Sequence, residues 1–210
     1  MSWKVIAGAL VAVAAVVVAV VLIAGDGDET SDAQQTDDDF IARMVEHHEL
    51  AIDMAEVAQE KGEHAEVRQL AGEIVAAQSS EIDQMRSIHE RMFDGGIEGH
   101  DHGTLGLSMS EMGMHMEMAD LENAKQFDQE FIDAMIAHHQ GAIRMARIEK
   151  DQGSDEELAE ICDAIIAAQT AEIDQMNMWR QQWYGAQSPS GGPLEEGEEG
   201  SMPSHEMMGH

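Results

Sequence analysis

Two segments of the sequence place a pair of adjacent histidines between methionines. They read MVEHHELAIDM at residues 44–54 and MIAHHQGAIRM at residues 135–145. Neutral imidazole nitrogen and thioether sulfur are uncharged ligands, and soft sulfur favours Cu(I) over magnesium, calcium or manganese. On a helix, a methionine and a histidine three or four residues apart have Cβ atoms about 5–6 Å apart, so they can share an ion. The candidate ligands of these segments are Met44, His47, His48, Met54, Met135, His138, His139 and Met145.

The alternative interpretation is that these residues only pack. Methionine fills irregular interiors, and a single inward histidine is most often a hydrogen-bonded core residue. The recurrence of both histidines and both methionines at the same spacing favours a metal site over packing alone.

The two segments belong to a longer internal repeat, in which each position recurs 91 residues later. Phe40 corresponds to Phe131, and QSSEIDQM at 78–85 corresponds to QTAEIDQM at 169–176. Self-similarity at a fixed period indicates that one structural unit occurs twice.

Each repeat has the pattern of two amphipathic helices. At 100° per residue, the methionines and histidines of the first segment share one stripe and the glutamates lie opposite, as in a helix with one buried face. The sequence therefore predicts an all-α fold, a four-helix bundle over 38–184. Its hairpins are 38–93 and 123–184, joined by a longer loop over 94–122.

The second helix of each hairpin adds further inward residues. A carboxylate that faces the interior must be paired or ligated to offset its desolvation. We predict that each inward glutamate hydrogen-bonds a facing histidine and orients it, with direct ligation as the alternative, and that a glutamine completes a polar network. These residues are the candidate ligands Met85, His89 and Met176, the glutamates Glu81 and Glu172, and the glutamines Gln78 and Gln169.

Methionine and histidine are also concentrated in the loop and in the tail. The loop 94–122 is rich in glycine, and the tail 185–210 has the composition of a disordered segment. We expect neither segment to bury its methionines, so spaced thioethers on a flexible chain would wrap a soft ion. Compositional drift, or docking of an amphipathic segment on the bundle, is the alternative. The candidate loop ligands are Met109, Met112, Met114, His115, Met116 and Met118.

The N-terminus predicts attachment to a membrane. Residues 5–24 are an unbroken apolar run, about the 20 residues that a helix needs to cross a bilayer. Lys4 precedes the run and acidic residues follow it, which favours a transmembrane helix with the rest of the chain outside the cytoplasm. A cleaved signal peptide is the alternative. Residues 25–37 have the composition of an acidic linker.

Composition excludes several classes of function. The chain has 42 acidic and 11 basic residues and a formal charge of −31, so nucleic acid is not an expected partner. With Cys162 as its single cysteine, it has no intrachain disulfide and no cysteine-based zinc or iron–sulfur site. None of the four paired histidines has a glutamate three residues before it, which disfavours a di-iron enzyme.

The segments EHHELAIDMA and AHHQGAIRMA are each followed about 30 residues later by EIDQM. In this respect the chain resembles the domain of unknown function 305 family of bacteria. The resemblance implies a ferritin-like four-helix bundle outside the cytoplasm that binds copper through methionine and histidine. It points to the paired histidines, their flanking methionines, Met85 and Met176. The chain departs from internal symmetry at His89, where the second repeat has Arg180.

The resulting hypothesis is an extracytoplasmic copper-binding protein that sequesters or carries copper, most readily Cu(I). It is not expected to be an enzyme, and a delivery or acceptor protein would be its partner. One alternative is a membrane-anchored helical interaction module without metal. The other is a ferritin-like redox enzyme.

Overall fold

The computed structural model describes residues 31–97 and 103–195, and within these ranges it contains five α-helices and no strand. The all-α prediction is confirmed. Four helices are long, and one short helix lies in the connection between the two hairpins. In chain order they are α1 (Asp32–Lys61), α2 (Ala65–Met92), α3 (Met118–Glu122), α4 (Phe127–Gln152) and α5 (Glu156–Tyr184).

The two hairpins, α1–α2 and α4–α5, pack through α1 and α4, which run antiparallel. Phe40 near the start of α1 lies in the same apolar cluster as Met145 near the end of α4. Ala58 near the end of α1 lies in a second cluster with Phe131 near the start of α4. The middle of α1 therefore faces the middle of α4, between two apolar ends.

A buried aspartate from each repeat closes the hairpin turn of the other. Asp128 accepts hydrogen bonds from the amides of Glu63 and His64, both at 2.8 Å. Asp37 accepts from the amide and hydroxyl of Ser154 at 2.7 and 2.6 Å. Both aspartates are fully buried and occupy equivalent positions of the repeat. These paired caps tie the two hairpins together at both ends of the bundle.

The acidic linker predicted over 25–37 is wrong in its second half, because α1 already begins at Asp32. Ser31 caps the helix in a capping box with Gln34, a motif that satisfies two otherwise unpaired amides. The apolar run 5–24 and residues 25–30 lie outside the described residues. Among the helices that are described, none is long and apolar enough to cross a bilayer.

The loop between the hairpins packs on the bundle where the structure describes it, so the expectation that it leaves its methionines unburied is wrong in part. Met112 is 1% exposed and belongs to the core. Met114 packs against one apolar cluster, and Met116 and Met118 pack against the other. Met109 is the exception at 50% exposure. By packing against the two apolar clusters, the loop methionines bury apolar surface that an extended loop would leave in water.

The tail is ordered further than its composition predicts, since residues 185–195 lie against α4 and α5. Gln140 donates to the carbonyls of Ser190 and Gly192 at 2.8 and 2.7 Å. Asn177 donates to the carbonyl of Gly191 at 2.7 Å. Side chains of the bundle thus replace the water that would otherwise solvate this backbone. Residues 196–210 lie outside the described residues.

Candidate metal centre

The two histidine pairs meet at the middle of the bundle, where α1 crosses α4. The four side chains His47, His48, His138 and His139 are fully buried and together form what we call the histidine layer. The ring centroids of His47 and His138 are 3.5 Å apart. Within each pair the centroids are 6.3 and 6.4 Å apart. Antiparallel packing thus brings together two segments that are far apart in sequence.

The outer two histidines of the layer are hydrogen-bonded to the glutamates that the sequence placed on the inner face. His48 Nε2 lies 2.7 Å from Glu81 on α2, and His139 Nε2 lies 2.6 Å from Glu172 on α5. A carboxylate only accepts, so Nε2 carries the hydrogen and the Nδ1 atom of a neutral ring is left with its lone pair. The predicted contacts are present, and a role in orienting a ligand stays a prediction.

The two inner histidines are neutral. Burial, together with the neighbouring His48, lowers the pKa of His47 to about 3. Burial also lowers the pKa of His138 well below its usual value, with His47 and His139 acting in the same direction. A neutral imidazole is the form that binds metal. Protons therefore do not compete for these two rings near neutral pH.

The histidine layer has a concentration of unpaired polar atoms. Among the described residues, Nδ1 of all four histidines and Nε2 of His138 are buried without a hydrogen-bond partner, as are the side-chain oxygens of Gln78 and Gln169. Such atoms are rare in folded proteins, and each costs about 1–3 kcal/mol. These five ring nitrogens lie at one level of the bundle, and all but the one that carries the hydrogen of His138 have a lone pair available to a further ligand.

Methionines lie on both sides of this layer. All are at most 1% exposed, and each side combines residues of both repeats. One cluster contains Met44, Met85 and Met145, together with Met112 from the loop. The other contains Met54, Met135 and Met176. The two triplets correspond to one another through the repeat, so the structure brings the predicted thioethers to the core at both ends of the layer.

His89 lies apart from the paired histidines. Its Nε2 is 3.0 Å from Asp38, which precedes His47 by nine residues, roughly 13 Å along the axis of α1. Its ring also lies against Phe93, with centroids 5.1 Å apart. His89 therefore lies outside the histidine layer. Its repeat equivalent Arg180 binds Asp133 instead.

The loop contributes to the histidine layer through its backbone, a contact that the side-chain pattern of the sequence does not predict. The carbonyl oxygen of Met112 lies 2.8 Å from His47 Nε2. The loop comes this close because Gly141 of α4 has no side chain, and a Cβ there would overlap the Met112 carbonyl. The glycine was a usable signal, since the first repeat has Leu50 in its place. Of the other loop candidates, His115 is exposed.

Within residues 31–97 and 103–195, no three His, Cys, Asp or Glu side chains gather in an arrangement that could hold a metal ion. Besides the glutamate carboxylates that already bond His48 and His139, the groups around the histidine layer include imidazole nitrogens and thioether sulfurs. A soft ion at this level would therefore take sulfur as well as nitrogen ligands.

Comparison with solved structures finds the same fold in several proteins. CopM in its Cu(I)-bound form is 38% identical, with a TM-score of 0.62, and the match covers 71% of this chain and 98% of CopM. CopM has also been solved in apo, Cu(II)-bound and Ag-bound forms. A DUF305 fragment from Deinococcus radiodurans is 28% identical, with a TM-score of 0.60, over 72% of this chain and 99% of the fragment.

A DUF305 protein from Streptomyces coelicolor shares the fold at 22% identity, with a TM-score of 0.65, over 73% of this chain and 94% of that one. Comparison with curated proteins finds no match. The family model described as "Domain of unknown function (DUF305)" matches residues 37–180 and 150–210. The first of these matches includes all four long helices except the ends of α1 and α5, and the histidine layer lies inside it. The chain belongs to the DUF305 family.

Proposed function

We propose that this chain is an extracytoplasmic copper-binding protein that holds Cu(I) between the histidine layer and the buried methionines beside it. The observation that carries the proposal is a set of five ring nitrogens in one buried layer that have no hydrogen-bond partner among the described residues. The 38% identity to CopM, which was solved in Cu(I)- and Cu(II)-bound forms, supports it.

The chemistry of the donors favours a soft monovalent ion. Imidazole and thioether are neutral, so they bind Cu(I) without the charge that magnesium or calcium sites require. The low pKa of His47, about 3, keeps its ring available even in acid. Binding without turnover is sufficient for sequestration or transport, and the chain is not proposed to be an enzyme.

The loop is proposed as the place where copper first binds. Met109 is half exposed and His115 is exposed, while Met114 and Met116 lie partly buried beside the bundle. Thioethers exchange a soft ion readily, so an ion captured on the loop could pass to the buried ligands. A protein that delivers or accepts copper would meet this exposed side.

The apolar run 5–24 is proposed to anchor the chain in a membrane, with the bundle outside the cytoplasm. The net charge of −31 keeps the bundle soluble and concentrates cations weakly near its surface.

The test is a Cu(I) titration of the purified chain against a competing chelator. We expect tight binding by the wild type and a loss of at least about tenfold in affinity for the double variant His47→Leu/His138→Leu. His89→Leu is the matched control, because His89 is also buried but lies outside the histidine layer, hydrogen-bonded to Asp38. It should bind like the wild type.

Other outcomes would redirect the proposal. If the double variant binds normally and replacing Met109, Met114 and Met116 by leucine abolishes binding, the loop is the site and the bundle is its scaffold. A wild type that does not compete for Cu(I) at all would refute copper binding and leave the interaction module as the better hypothesis.

A further inference from the structure

The two inner histidines differ, although the repeat makes them equivalent. His47 Nε2 is 2.8 Å from the carbonyl oxygen of Met112. His138, at the matching position, has no hydrogen-bond partner at either ring nitrogen among the described residues. A carbonyl can only accept, so the contact requires the hydrogen of His47 to be on Nε2. The Nδ1 atom of the neutral ring then keeps its lone pair.

Close contact between the loop and α4 sets this arrangement. A Cβ at Gly141 would overlap the carbonyl of Met112. Gly113 has a φ of +72°, and a Cβ there would lie 2.7 Å from Cα of His138. One turn beyond Gly141, Arg144 donates to the carbonyl of Glu111 at 3.0 Å. Two consecutive turns of α4 therefore hold the loop backbone over the histidine layer.

The loop also has local order of its own next to this contact. The carboxylate of Glu111 accepts from the amide and the hydroxyl of Ser108 at 2.8 and 2.6 Å. Met112 is 1% exposed and packs in the core. Its carbonyl is thus fixed in position from both sides rather than free to rotate away.

The first repeat lacks the features that hold the loop. Its residue equivalent to Gly141 is Leu50, and its residue equivalent to Arg144 is Asp53. A leucine side chain blocks the close backbone approach, and an aspartate cannot donate to a carbonyl. The asymmetry between His47 and His138 is therefore encoded in the sequence of α4.

We infer that the backbone carbonyl of Met112, held over α4 by Gly141, is a positioning group that fixes the Nε2–H tautomer of His47 and directs its bare Nδ1 to the ligand site. His138 is left free to bind through either nitrogen. The inference about the tautomer stands on the contacts alone, and its consequence for metal affinity rests on the proposed function.

The tautomer is measured by long-range ¹H–¹⁵N correlation on the full chain labelled at histidine, without metal. We expect His47, assigned by the loss of its signals in His47→Gln, to show the Nε2–H pattern. Gly141→Ala should displace the loop and convert His47 to a mixture of tautomers. Gly72→Ala is the matched control, because Gly72 is a helical glycine at which no other part of the described chain lies within 4 Å of the added Cβ. It should leave the pattern unchanged.

Titration with Ag(I), a diamagnetic probe, measures metal affinity and the chemical shifts of the histidines in the same spectra. The wild type should bind with shifts at His47, and Gly141→Ala should bind about 10- to 100-fold more weakly, the usual cost of losing a group that orients a metal ligand. If Gly141→Ala fails to fold by circular dichroism, Arg144→Gln replaces it, since it loosens the loop without adding an atom to the contact.

The inference is overturned if wild-type His47 carries its hydrogen on Nδ1, or if a folded loop variant keeps the wild-type tautomer pattern. If the tautomer is as expected but Ag(I) shifts none of the buried histidines, the positioning of His47 stands and the proposed function fails. The two ideas are therefore separable in a single series of spectra.

Discussion

Glu149 of α4 gives the sharpest test of the packing at the end of the bundle. Its side chain is 2% exposed, and burial raises its pKa from 4.5 to about 9, aided by a hydrogen bond with Asp37. One of its oxygens has no partner among the described residues. We expect the folded protein to hold Glu149 protonated at neutral pH, with its proton shared with the carboxylate that caps the α4–α5 turn.

This shift predicts a stability that falls as pH rises. Between pH 4.5 and about 9 the folded chain keeps a proton on Glu149 that the unfolded chain has lost. The free energy of unfolding then decreases by about 1.4 kcal/mol per pH unit from this group. Glutamine mimics the protonated acid and does not titrate. Glu149→Gln should therefore match the wild type near pH 4 and exceed its stability by about 3 kcal/mol at pH 7.

The assay is urea unfolding of both proteins at intervals from pH 4 to 9, followed by circular dichroism. The difference between the two curves isolates Glu149 from the other acidic residues. Glu160→Gln makes the same substitution at an exposed position of α5, and its stability curve should stay parallel to that of the wild type. Glu149→Gln is compatible with the fold of the turn, because the first repeat has an uncharged residue, Ala58, at the position equivalent to Glu149. Parallel curves for Glu149→Gln and the wild type would refute the shared proton.

Three further predictions concern the caps, the histidine layer and the glutamates. Asp128→Asn should lower the free energy of unfolding by about 1–3 kcal/mol, because it weakens three charge-assisted contacts to the α1–α2 turn; urea unfolding beside the exposed Asp120→Asn measures it, and equal stabilities would contradict it. Without metal, His47→Leu/His138→Leu should be as stable as the wild type or more so, since it removes three buried unpaired nitrogens; a large fall in melting temperature would show that the rings are structural. Glu81→Gln should weaken Cu(I) binding about 10- to 100-fold, while Glu90→Gln on the exposed face of α2 should not; chelator competition that finds both unchanged would remove Glu81 from the site.

Much of the fold could be read from the sequence because helices are specified locally. The apolar stripe of period 3.6 is a property of neighbouring residues, and it placed the ends of the two predicted hairpins, at 93 and 184, close to the observed ends of α2 and α5. The inward position of the paired histidines and of Glu81 and Glu172 follows from the same periodicity. The start of α1 was missed because an acidic composition resembles a linker, whereas the cap at Ser31 and the burial of Asp37 stabilise a helix there.

The tertiary structure decided what each buried polar group meets. Helical periodicity directs His47 inward, but only the antiparallel packing of α1 on α4 places its ring 3.5 Å from that of His138. The same long-range packing separates His89 from the layer, couples Glu149 to Asp37, and brings the carbonyl of Met112 to His47. The physical reason is that periodicity reports which face of a helix is buried, while the partner across that face depends on contacts between residues far apart in the chain.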